Sequence, residues 1–225
     1  MLNSLYTVSI VLLVVTSIGL GVYSYVRNPK PFVVRLWALT SLAIGLWSIG
    51  LMLMLFSASA AAATWYSRLL HAGAAFISIL FFHFVLVFLY QASSHKALVR
   101  SGYVLAVIFT FLSFWGNGIV AGASPKVGFD YWVDAGRLYP LFLAYFWSYV
   151  LLAIYFLASG YRASSGPMKR KVFYILLTVL FVSLSGGSNF LPQTAGVYPV
   201  GGFFTWLFPI FITIGIFFDE IRIKF

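Results

Sequence analysis

The sequence contains no cysteine and few charged residues. Its 225 residues include only four Asp and Glu, and charged residues make up 8% of the chain. Without cysteine the chain can form neither disulfides nor thiolate metal sites. Apolar residues account for 62% of the chain, and no water-soluble core could hide that much hydrophobic surface. The expected solvent is therefore lipid.

The four acidic residues all lie outside the apolar runs. Asp130 and Asp134 share one connection, and Asp219 and Glu220 follow the last run. Proton and cation pumps generally carry an acid near the middle of the membrane. The sequence also lacks Walker, GxSxG and HExxH motifs. These absences argue against coupled transport and predict that this chain is not an enzyme and has no catalytic residue.

The three histidines are too far apart to share a metal ion. His71 and His83 are twelve residues apart, a rise of about 18 Å along a helix, and His95 lies in a connection. No Cys, Asp or Glu inside the runs could complete a ligand set. The last run also lacks a lysine that could form a retinal Schiff base. We therefore predict no metal and no cofactor.

Seven apolar runs, most of them long enough to cross a membrane as a helix, fill most of the chain. Their approximate bounds are residues 4–26, 33–56, 64–90, 99–115, 138–161, 172–185 and 202–218. The sequence therefore predicts an all-α polytopic membrane protein, in which residues 1–225 form a single seven-helix transmembrane domain without a soluble output domain.

The basic residues are concentrated in alternate connections. Eleven of the fourteen Lys and Arg residues flank the first, third and fifth connections or lie in the C-terminal tail. They are Arg27, Lys30, Arg35, Lys96, Arg100, Arg162, Lys169, Arg170, Lys171, Arg222 and Lys224. The positive-inside rule predicts an external N-terminus and a cytoplasmic C-terminus. These cations flank the spans, where they would contact the headgroups of membrane lipid. This placement explains the net charge of +10, so we predict no nucleic-acid partner.

The fourth and sixth connections differ from the basic ones. Residues 116–136 form a long segment that combines glycine, aromatic and acidic residues, and the Gly and Pro residues of 186–202 prevent a continuous helix. The two segments either cap an outward-facing pocket or are turns packed on one another. The candidate ligand-binding residues are Arg68, His71, Asp130, Trp132, Asp134 and Asn189.

Arg68 and His71 are three residues apart in the third run and would lie on one face of a helix. Two roles are open for Arg68. Its guanidinium could pair with Asp130 or Asp134, or it could bind the carboxylate or phosphate of a ligand arriving from outside. The ligand itself, a small molecule, is not identified by the sequence.

Several short motifs occur in a characteristic order along the chain. They are Arg68-Leu69 with Gly73, His83-Phe84, Lys169-Arg170-Lys171, and Asn189-Phe190-Leu191-Pro192 followed by Gly196, Pro199 and Gly201. In this order the chain resembles the N-terminal seven-transmembrane sensor region of bacterial histidine kinases, a region that also precedes some diguanylate cyclase modules. Asp219-Glu220-Ile221-Arg222 resembles the start of the junction to the cytoplasmic output domain in that family.

The resemblance implies a homodimeric, multi-pass receptor in the bacterial inner membrane. It would detect an extracellular or membrane-borne ligand and pass a conformational change through the seventh helix to a kinase or cyclase output domain, or to a separate effector. The junction would comprise Asp219, Glu220 and Arg222. These 225 residues carry no kinase motif, so the chain is either the sensor part of a longer polypeptide or a protein that acts through a partner. An accessory subunit of a larger membrane complex is the main alternative function, and a transporter is a further one.

Overall fold

The computed structural model describes the backbone of residues 2–222 and the side chains of residues 2–217. Its α-helices are α1 Leu2–Arg27, α2 Phe32–Leu55, α3 Ala60–Phe88, α4 Lys96–Phe114, α5 Tyr139–Ala163, α6 Gly166–Gly187, α7 Leu191–Ala195 and α8 Leu207–Arg222. Two strands, β1 Val120–Lys126 and β2 Phe129–Ala135, lie between α4 and α5. Two 3-10 segments, Ser188–Phe190 and Val200–Phe204, flank α7.

Within the described part of the chain, six helices, α1 to α6, are long and apolar enough to cross a membrane. The seventh run corresponds to α8, whose 16 residues cover about 24 Å. The 3-10 segment Val200–Phe204 precedes α8 and lengthens this run toward the hydrocarbon thickness of about 30 Å. The helices confirm the prediction of a mostly helical membrane protein with several spans.

Helix α3 lies at the centre of the bundle. Its most apolar stretch is 78% buried, whereas that of α4 is only 28% buried. Helix α3 packs against α2, α4 and α5. At Gly73 the backbones of α2 and α3 approach so closely that an added Cβ would lie 2.7 Å from the backbone nitrogen of Trp47. Small residues allow this close helix packing, which drives helix association in lipid.

The fourth connection folds into a β-hairpin, so the prediction of an all-α protein was wrong in this region. Strands β1 and β2 are antiparallel, and the pairing of Lys126 with Phe129 leaves a two-residue turn. The turn residues Val127 and Gly128 have φ angles of 44° and 89°. Positive φ at both positions is the pattern of a type I′ hairpin turn, although valine rarely adopts it.

The sixth connection has no continuous helix, as the sequence predicts. After α6 the chain forms a 3-10 turn and the short α7, and Gly196 then adopts a left-handed conformation with φ 63°. Helix α7 packs against β2. The hairpin Val120–Ala135 and the segment Ser188–Phe204 therefore form one layer over one end of the bundle, which we call the cap. The basic connections lie at the other end, which we call the basic end.

Candidate functional site

The underside of the cap contains an aromatic cluster centred on Tyr6 of α1. The Tyr6 ring centroid lies within 6.2 Å of those of Phe129, Trp132, Tyr198 and Phe203. The Tyr6 hydroxyl donates a hydrogen bond of 2.5 Å to Asn189 Oδ1. This cluster joins the first helix to both parts of the cap.

A second hydrogen-bonded chain crosses the cap. Trp132 Nε1 donates to Gln193 Oε1 at 2.6 Å, and Gln193 Nε2 donates to the Tyr139 hydroxyl at 2.6 Å. Trp132 and Tyr139 are only 2% and 1% exposed. Since buried polar groups are costly unless they are paired, these bonds hold the cap closed on the bundle.

The tip of the hairpin is also tied down. Asn3 Nδ2 donates to the carbonyl oxygen of Gly128 at 2.5 Å, and the Tyr198 hydroxyl donates to Asn3 Oδ1 at 3.2 Å. Asn3 therefore connects the hairpin turn to the sixth connection through the start of α1.

Under the cap there is a void of only about 10 Å³. It is lined by Trp47, Leu51, Met54, Leu70, Trp132, Val133, Asn189, Phe190 and Gln193. A void of this size holds at most a single water molecule. This void therefore has no room for a small-molecule ligand.

Arg68 binds the end of a helix, and its predicted pairing with Asp130 or Asp134 is wrong. Its Nη1 and Nη2 atoms donate to the carbonyl oxygens of Phe114 and Gly116, both at 3.3 Å. These carbonyls belong to the C-terminal end of α4, where backbone acceptors lack helical partners. A cation at this position also complements the helix dipole.

Asp134 forms an ion pair with Lys126 of the facing strand, and Ser124 Oγ donates to Asp134 Oδ1 at 2.6 Å. Burial tends to raise the pKa of Asp134, but hydrogen bonds from Lys126 and Ser124 and the Lys126 charge hold that pKa below its ordinary value. Asp130 is exposed on the hairpin. The two acids thus belong to the outer surface of the hairpin.

His71 is fully buried in α3. Its Nδ1 atom is 2.7 Å from the carbonyl oxygen of Ser67, which can only accept, so Nδ1 carries the proton. The ring lies 5.5 Å from that of Tyr139 and 5.4 Å from that of Phe142. The imidazole Nε2 atom is buried without a hydrogen-bond partner among the described residues.

The six predicted ligand-binding residues therefore do not form one site. The structure brings Trp132 and Asn189 of the cap together at the small void. His71 of α3 is separate from this void, and its ring contacts that of Tyr139. Arg68 binds the end of α4, and the acids lie on the hairpin surface.

A larger cavity, which the sequence analysis did not predict, lies below the cap within the membrane-spanning part of the bundle. Its volume is about 110 Å³. Residues of α1, α2, α3, α5, α6 and α8 and of the segment between α6 and α8 line it. Among them are Ile44, Trp47, Phe81, Trp147, Val150, Val182, Ser183, Gly187, Phe190, Thr205 and Phe208. Trp47 and Phe190 also line the void under the cap, so they form the partition between the two spaces.

The cavity is least buried on its α5 and α6 side. Its walls from α2 and α3 are largely buried, whereas Trp147, Val182 and Ser183 are only half-buried. Leu184, the neighbour of Ser183, is 80% exposed on the lipid-facing surface. The α5 and α6 side of the cavity is therefore the side nearest to the lipid-facing surface.

A sequence-family model described as the N-terminal 7TM region of histidine kinase matches residues 9–221. The chain belongs to this family. The match confirms the resemblance inferred from the sequence motifs. It identifies the chain as a multi-pass membrane sensor region for signalling, and the sensor region of this family is a non-catalytic domain. No match to the chain was found among curated proteins.

In this histidine-kinase sensor region, α8 is the helix that leads toward the predicted output junction. The side chains of Asp219, Glu220 and Arg222 lie outside the described residues. Within the described part of α8, Thr213 Oγ1 accepts a hydrogen bond of 3.1 Å from Trp37 Nε1 of α2. The Phe208 ring lies 5.8 Å from Trp37 and 5.7 Å from Phe81 of α3. Helix α8 is thus in direct contact with the core around the cavity.

Proposed function

We propose that this sensor region detects a small apolar or amphipathic molecule that enters the cavity from the membrane, between α5 and α6. The observation that carries the proposal is the cavity of about 110 Å³ with almost entirely apolar walls. An apolar cavity of about 150 Å³ is known to bind benzene, so this one fits a ring or a short alkyl segment. The rest of a longer amphiphile would extend into the lipid through the less buried α5 and α6 side of the cavity.

The cap is the less favoured ligand site. Its side-chain polar groups, including those of Trp132 and Asn189, are already bonded to other groups of the chain. The void beneath it is about 10 Å³. In this proposal the cap seals one end of the bundle and supports the partition formed by Trp47 and Phe190.

Ligand occupancy would reach α8 through residues of the cavity wall. Thr205 and Phe208 line the cavity, Thr205 just before α8 and Phe208 in its first turn. A ligand that fits one arrangement of these residues better than another shifts the population toward that arrangement. Because Phe208 also contacts Trp37 and Phe81, the shift moves α8 relative to α2 and α3.

The remaining parts of the proposal follow from charge and family. The positive-inside distribution supports an orientation with the cap outside the cell and the end of α8 in the cytoplasm. The protein lies in the bacterial inner membrane as a homodimer. Asp219, Glu220 and Arg222 form the junction to a kinase or cyclase output domain or to a separate effector.

Photolabelling tests the ligand site. The chain is reconstituted in lipid nanodiscs and irradiated with octyl diazirine, and labelled residues are mapped by mass spectrometry. We expect labelling at Trp147 and Val182 to fall about tenfold in Ser183→Phe, because the added ring fills the cavity and weakens binding by about 1.4 kcal/mol.

The matched control is Leu184→Phe, which adds a ring on the adjacent lipid-facing position. It should leave the labelling pattern unchanged, and circular dichroism should show equal helix content in both variants. Equal labelling of wild type and Ser183→Phe would exclude the cavity as the ligand site.

A further inference from the structure

A second site lies at the basic end of the bundle, where α5 and α6 are joined. A groove of about 260 Å³ is lined there by Tyr161, Gly166, Lys169, Arg170 and Phe173. The Lys169 ammonium lies 4.9 Å from the centre of the Tyr161 ring, within the range of a cation–π contact. The Tyr161 and Phe173 ring centroids are 5.8 Å apart. The groove thus combines two cations with an aromatic wall.

The positive charge of this groove is not neutralised within residues 2–217. The only acidic residues in that range, Asp130 and Asp134, lie on the hairpin at the opposite end of the bundle. The first turn of α6 contains no acidic residue, and its N-cap residue Ser165 makes no side-chain capping bond. The positive end of the α6 dipole therefore adds to the charges of Lys169 and Arg170.

The position of the groove indicates its occupant. Helices α5 and α6 are both long enough to cross a membrane, so their connection lies at the membrane boundary, where lipid phosphates lie. Phe173, about two turns into α6, is 44% exposed on the membrane-facing surface. A ligand here would meet cations at one end and an apolar ring at the other.

We propose that the groove binds the phosphate group of an anionic lipid headgroup. Lys169 and Arg170 donate hydrogen bonds to the phosphate oxygens, and the guanidinium of Arg170 can engage two oxygens at once. Tyr161 and Phe173 lie against the glycerol and the first acyl carbons. The basic residues at this connection then form a lipid-binding site in addition to orienting the chain.

Native mass spectrometry of the detergent-solubilised chain with short-chain phosphatidylglycerol tests the proposal. We expect Lys169→Gln/Arg170→Gln to weaken lipid binding about 30-fold, because the charge-assisted hydrogen bonds from both side chains to the phosphate are lost. The matched control is Lys96→Gln/Arg100→Gln, which removes two exposed cations from the first turns of α4, also at the basic end of the bundle.

The control variant should weaken binding less than about threefold. An equal loss in the two double variants would mean that the lipid responds only to overall charge and would overturn the site. A second arm adds inorganic phosphate in tenfold excess over the lipid. We expect no displacement, and displacement of the lipid by inorganic phosphate would overturn the assignment to a lipid headgroup.

Discussion

The cap and the membrane cavity lie on opposite sides of Trp47 and Phe190, yet they use their side chains in different ways. In the cap, polar and aromatic side chains bond and pack against one another, leaving about 10 Å³ empty. In the cavity, apolar side chains enclose about 110 Å³. Polar residues at the end of a bundle suggest a ligand site, but here their hydrogen-bonding capacity is largely used within the chain. The space for a ligand is found instead among the apolar side chains that line the cavity.

The largest loss of stability is expected for Trp132→Ala in the cap, a region whose packing the cavity does not share. This change empties the centre of the cap and leaves Gln193 Oε1 without its donor, so unfolding in detergent should become easier by about 3–5 kcal/mol. Denaturant titration followed by circular dichroism measures the difference. Trp65→Ala is the control, because Trp65 is 57% exposed and its loss should cost less than about 1 kcal/mol. Similar losses for the two variants would mean that the cap does not stabilise the bundle.

Arg68→Ala tests the structural role of Arg68 at the end of α4. Loss of the two bonds to the α4 carbonyls should destabilise the protein by about 2 kcal/mol, and Arg68→Lys should lie between wild type and Ala because lysine lacks the fork that binds both carbonyls. The same denaturant titration applies. Unchanged stability would show that the bonds from Arg68 to the α4 carbonyls do not stabilise the bundle.

A smaller loss of stability is expected when the pH is lowered, and it should arise from the cap. The pKa of Asp134 is lowered in the folded protein. Its contribution to stability is therefore present above the ordinary Asp pKa and is lost as the pH falls through the lowered value. We expect a loss of less than about 1 kcal/mol between about pH 5 and pH 2, since the ion pair is partly exposed. Asp134→Asn should remove this component of the pH dependence, and Asp130→Asn should retain it.

The smallest expected effect is a gain in cap stability from Val127→Asn. Valine at φ 44° is strained, whereas asparagine tolerates this conformation in a type I′ turn. Thermal unfolding should show a gain of about 0.5–1 kcal/mol. Val127→Ala provides the comparison, since alanine keeps the unfavourable φ and should bring no gain. A less stable Asn variant than Ala variant would show that the turn is not strained at this position.

The sequence predicts the helices well because a membrane span requires a long apolar run, which single residues such as Arg68 do not obscure. The hairpin was missed for local reasons. Its strands contain Gly122 and Pro125, which are poor strand residues, and its turn has Val127 in place of the usual asparagine.

The partners of the candidate site residues were less predictable. Arg68 binds backbone carbonyls, which every residue carries and which no pattern of side chains marks. The cavity is formed by the packing of residues that are far apart in the chain, such as Trp47, Ser183 and Phe208. The hydropathy of the sequence does not predict how such side chains pack together. Asn189 was identified from its loop, but its bond to Tyr6 joins residues 183 positions apart.

Hydrogen–deuterium exchange of the chain in lipid nanodiscs, with and without octyl diazirine kept in the dark, tests ligand detection in the cavity most directly. We expect slower exchange in residues 200–217, which include Thr205, Phe208 and the start of α8, and unchanged exchange in the hairpin 120–135. Slower exchange confined to the hairpin would contradict a ligand site in the membrane cavity and would place it at the cap.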